Sequence, residues 1–221
     1  MKLYGIVGAG GFGREVIAFA EMMLKSFNDF NYQLVFVDED LDCPKVVNHY
    51  PVMTVEEFFA CPIEKKFFNI AIANYSNRKL LAELMLKKGA APFRINAPNS
   101  IELHANSIAE GAIFCPFTTV TSNAIIGKYF HANIYSYVAH DCVIGDYVTF
   151  APNVQCNGSV VIEDNVYVGT GAIIRQGTPT KPIVIGKGAI VGMGAVVTKS
   201  IPAFETVIGN PAQPMKRKEA V

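Results

Sequence analysis

The sequence predicts a small α/β domain with a parallel sheet, residues 1–98, followed by a parallel β-helix of hexapeptide repeats, residues 99–221. Two observations carry this reading. From Ile108 to Ile174 every sixth residue is apolar: Ile108, Phe114, Val120, Ile126, Ala132, Val138, Ile144, Phe150, Cys156, Ile162, Val168 and Ile174. Ahead of that run, strand-like and helix-like segments alternate around a GxGxxG formed by Gly8, Gly10 and Gly13.

A period of six fits neither the helical repeat of about 3.6 nor the alternation of about 2 of ordinary strands. The residue four after each anchor is also small or apolar in most repeats, from Ala112, Thr118 and Ala124 to Val160, Val166 and Ala172, so each hexapeptide has two inward positions. Gly127, Gly145 and Gly169 follow anchors directly, where a chain turning a corner is expected to gain from the absence of a Cβ. The repeat resumes at Ile185, Val191 and Val197, with Ala189 and Ala195 four after the first two. Between the two runs RQGTPTKPIV is out of phase, and Gly177, Pro179 and Pro182 mark it as a loop that leaves the coil and rejoins it. Three hexapeptides per coil make about five coils, enough for a continuous core. Tyr135, Tyr137, Tyr147 and Tyr167 fall on outer sides, where they suggest subunit packing or are scattered surface aromatics.

In the first domain KLYGIV leads into GAGGFGREVIAFAEMML, QLVFVDED ends in Asp38, Glu39 and Asp40, and FFNIAIAN ends in Asn74. The helix-like SNRKLLAELMLKKG closes on Gly89. This β-α-β-β-α order places the strand ends on the edge where open α/β sheets bind ligands. A glycine turn that follows a strand and opens a helix suits a phosphate or diphosphate, and Asp38 stands near the place of a carboxylate on a ribose hydroxyl. An NAD site is one reading, but the domain is half of the two-part fold that a dinucleotide spans, and a single nucleotide carrying a sugar fits better. The plain alternative is a glycine turn that lets helix and strand pack closely.

Nineteen basic and nineteen acidic residues balance, and no basic block appears, which argues against nucleic acid and membrane surfaces as partners. No run approaches eighteen apolar residues and no signal segment is visible, so a cytoplasmic protein is expected. Five dispersed cysteines, Cys43, Cys61, Cys115, Cys142 and Cys156, indicate neither disulfides nor a cysteine zinc site, and Cys142 and Cys156 are expected in the core. Of the four histidines, His140 is neither an anchor nor four after one and should point outward, as a general base with an ordinary pKa near 6.5 would. Asp141 can hold its ring only if the pair sits at a corner or another subunit approaches. A metal reading pairs His104 with His140, thirty-six residues apart. A catalytic zinc normally takes three protein ligands, and position 145, where the γ-class carbonic anhydrases carry a third histidine on a similar hexapeptide helix, is Gly145. No metal is therefore expected.

GAGGFG, AHDCVIGDYV in mid-repeat, VGMGAVVTKSIP after the loop and IGNPAQPMK at the end together resemble the bacterial nucleotide-sugar N-acetyltransferases of the PglD-like and GDP-perosamine N-acetyltransferase type, with the sialic acid O-acetyltransferases as more distant relatives. The resemblance implies a left-handed β-helix, a homotrimer with active sites at subunit interfaces, acetyl-CoA in the groove between neighbouring helices, and a nucleotide-sugar held by the N-terminal domain. By motif match His140 is the base, Asp141 its acidic neighbour and Gly158 the amide that faces the thioester oxygen. Gly10, Gly11 and Phe12 match the loop that meets diphosphate and sugar. Asp38 and Glu39 match the acidic pair near base and ribose. Asn74 and Arg78 match the polar edge after the third strand, while Thr170, Gly171, Gly192 and Met193 line the CoA groove. Phe12 and Thr149 depart from the family, which often has histidines there. The implied activity is direct acetylation of the 4-amino group of a nucleotide-linked 4-amino-4,6-dideoxy sugar, of the GDP-perosamine or dTDP-sugar type, for surface polysaccharide (O-antigen, lipopolysaccharide) biosynthesis. An O-acetyltransferase on a sialic acid or related sugar, and a non-catalytic trimeric scaffold that binds nucleotide, are the alternatives.

Overall fold

The computed structural model describes residues 1–27, 30–40 and 42–215, so Lys216 of the terminal IGNPAQPMK segment and the residues after it lie outside the described residues. Two compact units divide the chain: Met1–Pro98 with Glu110–Cys115, and Asn99–Ala109 with Pro116–Val221. The first unit runs β1 (Lys2–Val7), α1 (Gly11–Ser26), β2 (Tyr32–Val37), β3 (Val46–Val47), β4 (Tyr50–Met53), α2 (Val55–Ala60), β5 (Lys65–Ile70), α3 (Tyr75–Lys87) and β6 (Ala91–Pro92). Its sheet has the order β3-β4-β2-β1-β5-β6, parallel throughout except for the β3–β4 hairpin. Leu3, Tyr4, Ile6 and Val7 of the central β1 are all buried, as expected of a parallel strand covered on both faces. α1 buries Val16, Ile17, Phe19, Ala20, Met23 and Leu24 in one cluster with Tyr4, Ile6, Leu34 and Phe36, a stripe at helical spacing.

α3 closes on Gly89 as the sequence predicts, and the chemistry is explicit. Gly89 has φ 95°, its N–H donates to the Leu86 carbonyl at 2.9 Å, and the Ala90 N–H donates to the Met85 carbonyl at 3.1 Å. That pair of bonds satisfies carbonyls that the helix end would leave open. Two elements between β2 and β5 go beyond the predicted β-α-β-β-α order. The hairpin β3–β4 turns at Asn48 and His49, both at positive φ. α2 starts at a capping box in which Thr54 Oγ1 accepts from the Glu57 amide at 3.1 Å and Glu57 Oε2 accepts from the Thr54 amide at 2.8 Å.

The second unit is a left-handed parallel β-helix whose short strands stack into three sheets, parallel except for the terminal antiparallel pair Val207↔Pro214 and Ile208↔Gln213. Register advances by eighteen residues per coil, as in Thr119↔Tyr137, Tyr137↔Gln155 and Gln155↔Ile173. Across the out-of-phase segment it advances by twenty-three, as in Ile173↔Val196 and Tyr167↔Ile190. The five extra residues leave the coil in a tight turn, where Thr178 and Lys181 exchange backbone hydrogen bonds at 3.0 and 3.1 Å. From Phe114 to Ile174 every sixth-residue anchor is at most 3% exposed, and only the terminal Ile108 is half-buried. Burying each Ile or Val in such a ladder is worth about 1.5–3 kcal/mol, gained only through the coils above and below. The polar inward residue Ser136 is satisfied, donating to Ala151 O at 2.9 Å and accepting from Val154 N at 3.0 Å.

The corners are built differently from expectation. Left-handed backbone falls three residues after each anchor, at Phe117, Asn123, Tyr129, Tyr135, Asp141, Tyr147, Asn153, Ser159 and Asn165, with φ between 52° and 64°. Gly127, Gly145 and Gly169 have no such φ; they are glycine because the next coil passes too close for a Cβ. A Cβ on Gly145 would stand 2.6 Å from the Asp164 amide nitrogen and 2.8 Å from the Glu163 carbonyl carbon. Backbone cannot rotate away as a side chain can. Gly145→Ala is therefore expected to cost about 1–3 kcal/mol, read as a lower denaturant midpoint at unchanged m-value.

Of the outward tyrosines, Tyr137 donates to Asn157 Oδ1 at 2.9 Å and Tyr147 stacks on the buried Tyr129 at 5.3 Å, so both have partners within the chain. Tyr135 is 57% exposed and stacks on Phe117, itself 54% exposed, at 5.0 Å. Cys142 and Cys156 are buried in the β-helix as predicted, and all five cysteines are free. Among the described residues no helix is long and apolar enough to cross a membrane.

Candidate active site

At the corner occupied in one coil by the residues between strands Tyr137–Val138 and Val143–Ile144, successive coils stack His104, Ser122, His140 and Gly158 in one column, each eighteen residues on. The left-handed residue follows each, and its amide bonds to the coil below: Asn123 N to His104 O at 3.1 Å, Asp141 N to Ser122 O at 3.0 Å, and Ser159 N to His140 O at 2.9 Å. Because Asp141 has φ 59°, it does not point away from its neighbour as a strand residue would. Its Oδ2 lies 2.8 Å from His140 Nδ1. The corner that the sequence requires for Asp141 to hold the ring is present. The hydrogen bonds from His140, first, and Asn123 hold the Asp141 carboxyl below the usual carboxylate range.

With Nδ1–H engaged by a carboxylate, the tautomer assigned to neutral His140 leaves the Nε2 lone pair free. Nε2 lies against Gly158, where a Cβ would stand 2.5 Å from both Nε2 and Cε1. Among the described residues, none accepts a hydrogen bond from the Gly158 amide. A proton acceptor and an unspent N–H donor thus occupy adjacent coils on one ridge. The His140 and Asp141 side chains are 50% and 47% exposed, while Gly158 is buried with the His140 ring against it. His104 is two coils below His140 with Ser122 between, and no three His, Cys, Asp or Glu side chains gather as a metal-ligand set among the described residues. Thr149, the departure from the family pattern, is buried in register with His131 and stands outside this column.

Thr170, Gly171, Gly192 and Met193 lie about a different edge. Gly171 stands at the corner between strands Tyr167–Val168 and Ile173–Ile174, and the Gly194 amide bonds Thr170 O at 2.8 Å one coil on. Met193 is 81% exposed, and nothing stands within 4 Å of a Cβ built on Gly171. One chain does not bring these residues to the His140–Gly158 ridge.

In the first unit the glycine loop divides into two kinds. Gly8, at φ 99°, and Gly13, whose Cβ would run into the Gly8 carbonyl oxygen, are required by the turn and by close packing. Gly10 and Gly11 are required by neither, since nothing stands within 4 Å of a Cβ on either. Gly10 caps α1 without a side-chain hydrogen bond, and the first turn carries no acid. Open N–H groups and the positive end of a helix suit an anion. The loop opens on a cleft of about 660 Å³ lined by Ala9, Gly10, Asp38 and also by Arg14, Asp40, Asp42 and Asn48. Asp40 lies on the strand edge that the sequence marks out, whereas Arg14, Asp42 and Asn48 carry no such signal. The hairpin β3–β4, which contributes Val46, Val47 and Asn48 to the wall, has a signal in Asn48 alone, weaker than Asn-Gly.

Several sequence-predicted residues are already engaged. Asp38 Oδ2 accepts from the Ala9 amide at 2.7 Å and Oδ1 from the Asp40 amide at 3.0 Å, which ties β2 to the glycine loop. Glu39 Oε1 accepts from the Val55 amide at 2.6 Å, at the start of α2. Asn74 caps α3 by accepting from Asn77 N at 3.0 Å. Phe12 is half-buried against the core cluster, so the loop presents its backbone more than its ring. Arg78, matched to the polar edge after the third strand, is fully buried, and its Nη1 donates to Ile72 O at 3.1 Å. Its guanidinium braces the segment after β5 from beneath.

Residues 5–85 match the PglD N-terminal domain family. The chain is 54% identical over 217 residues to the GDP-perosamine N-acetyltransferase of Escherichia coli O157:H7, covering 98% of each. Among solved structures, WeeI from Acinetobacter baumannii AYE is 51% identical with a TM-score of 0.93, covering 97% of this chain and 100% of that one. The acetyltransferase domain of PglB from Neisseria gonorrhoeae FA1090, in complex with acetyl coenzyme A, is 25% identical with a TM-score of 0.85 over 97% and 99%. The chain belongs to the PglD-like nucleotide-sugar N-acetyltransferases, the family that includes GDP-perosamine N-acetyltransferase.

Proposed function

We propose that this chain transfers the acetyl group of acetyl-CoA to the 4-amino group of a GDP-linked 4-amino-4,6-dideoxy sugar of the perosamine type, as a step toward surface polysaccharide in the cytoplasm. The observation that carries the chemistry is His140 held between Asp141 and the bare face of Gly158. The Escherichia coli relative's name supports the sugar, and the acetyl coenzyme A in the PglB domain supports the donor. The free amine attacks the thioester carbonyl, and the new C–N bond forms as His140 Nε2 takes an amine proton. The Gly158 N–H donates to the oxygen that gains charge. The C–S bond then breaks, and the thiolate leaves with the proton His140 received. Asp141 stabilises the imidazolium formed in between.

In this reading the open N-terminus of α1, with Gly10, Gly11 and the Phe12 backbone, holds the diphosphate. Asp38 and Glu39 retain lone pairs for ribose and base, Asn74 offers its amide nitrogen at the same sheet edge, and Arg78 positions that edge without touching ligand. The protein acts as a homotrimer. Support comes from the two separate edges of the prism: one copy supplies His140, Asp141 and Gly158, and a neighbour supplies Thr170, Gly171, Gly192 and Met193 to the same acetyl-CoA.

The test is thiol release from acetyl-CoA with a panel of GDP-, dTDP- and UDP-linked 4-amino sugars and with hydroxyl acceptors including sialic acid. Release that is fastest with GDP-perosamine is expected. No release with any amino sugar overturns the proposal, and release with sialic acid alone replaces it by O-acetylation. Sedimentation is expected to give three times the chain mass of 24.0 kDa.

A further inference from the structure

Asn123 stands one coil below Asp141 in the column of left-handed corner residues, with φ 60° against 59°. Its backbone amide is committed to His104 O at 3.1 Å, and its side-chain Nδ2 donates to Asp141 Oδ1 at 3.2 Å. Asp141 therefore has both oxygens engaged, Oδ2 by His140 Nδ1 at 2.8 Å and Oδ1 by Asn123. Those two bonds fix the plane of the carboxylate. A carboxylate free to rotate on an exposed corner would meet the imidazole only part of the time, because holding an exposed pair in one geometry costs side-chain entropy that water does not refund.

We propose that Asn123 is a positioning residue for acetyl transfer: its amide locks the Asp141 carboxylate, and through it the Nδ1–H tautomer and orientation of His140. The proposal rests on the acyltransferase reading for its effect on turnover, while the lock itself is a property of the free enzyme. The plain alternative is that Asn123 is present because asparagine tolerates left-handed backbone. The two separate cleanly, since glycine tolerates that backbone better still. The groups that face Asp141 are His140 beside it and Asn123 below, and the Cys142 thiol follows with Sγ directed at Asn157 O and His140 O at 3.2 and 3.7 Å. The low titration of the Asp141 carboxyl, caused first by His140 and then by Asn123, is the handle for measurement.

The experiment compares Asn123→Gly and Asn123→Asp with the parent enzyme. Three quantities are read: thermal midpoint, the Asp141 carboxyl titration by ¹³C NMR, and the His140 ring tautomer by ¹⁵N NMR at alkaline pH. Asn123→Gly is expected to keep the midpoint, to move the Asp141 titration upward and to lower the Nδ1–H fraction. Asn123→Asp, which sets a second carboxylate against the first, is expected to move the Asp141 titration further up. Turnover of Asn123→Gly is expected to fall about 3- to 10-fold, the equivalent of one net hydrogen bond, at unchanged KM for acetyl-CoA. An Asp141 titration and His140 tautomer that stay where they are in Asn123→Gly overturn the proposal, as does parental turnover in that variant. If the parent transfers no acetyl group to any amino sugar, the function proposed above fails, and the NMR arm still decides whether the lock exists.

Discussion

His140→Ala is expected to lower kcat by about 10²–10⁴-fold, the usual contribution of a positioned general base, with the fold intact. The folding half of this expectation follows from exposure. The imidazole is 50% exposed and contributes no inward group to the coil, whose core at that level is Val138 and Cys142. The turnover half follows from what remains when the ring is gone. The Gly158 amide still faces the place where the carbonyl oxygen would sit, and the nucleotide cleft is untouched, so KM for both substrates should change little. Loss confined to kcat is the mark of an interaction made in the transition state. His140→Asn, which keeps volume and a donor but accepts no proton, should be as slow as His140→Ala. The measurement is steady-state thiol release with GDP-perosamine. Unchanged turnover in either variant would remove His140 from the role of base.

Why the sequence reveals this ridge so fully lies in the geometry of the repeat. In a β-helix with eighteen residues per coil, residue number is itself a spatial coordinate, so the numbers of His140 and Gly158 alone make them neighbours on adjacent coils. The same arithmetic puts Asn123 beneath Asp141, but a corner asparagine reads as backbone tolerance until its side-chain partner is visible. Gly145 shows the opposite limit. Its place in the period is plain, yet the reason for glycine there is the passage of the Glu163–Asp164 backbone, a long-range approach that no local rule contains.

The first unit is less legible because its site residues come from loops whose positions depend on packing. The GxGxxG can be read as a phosphate turn or as a packing device; Gly8 and Gly13 are needed for the turn and for packing, whereas Gly10 and Gly11 leave open space. The Thr54–Glu57 capping box is a visible signal for α2, since Thr-x-x-Glu before an apolar pair is a helix start. Burial of Arg78 carries no signal at all, because a charged residue early in a helix is normally exposed.

Gly158→Ala is expected to fold normally and to lose about 10²-fold or more in kcat. The three atoms nearest the added methyl all belong to the His140 ring, Nε2 and Cε1 at 2.5 Å and Cδ2 at 3.0 Å. Because that ring is half exposed, it can swing out into solvent, and the collision is relieved at little cost in stability. The cost falls on catalysis. A displaced ring leaves Asp141 and loses its line to the attacking amine, which removes most of what a general base supplies. The Gly158 N–H remains, but a methyl beside it crowds the carbonyl that it should receive, and a misplaced donor of this kind typically costs about 10²–10³ in turnover. The double variant His140→Ala with Gly158→Ala separates these effects. If the methyl acts chiefly through the ring, the double variant is little slower than His140→Ala alone, because residues that work as a unit are not additive. Losses that multiply in full would mean instead that the methyl acts on the acetyl group directly, and that the close approach of His140 to Gly158 has no part in turnover.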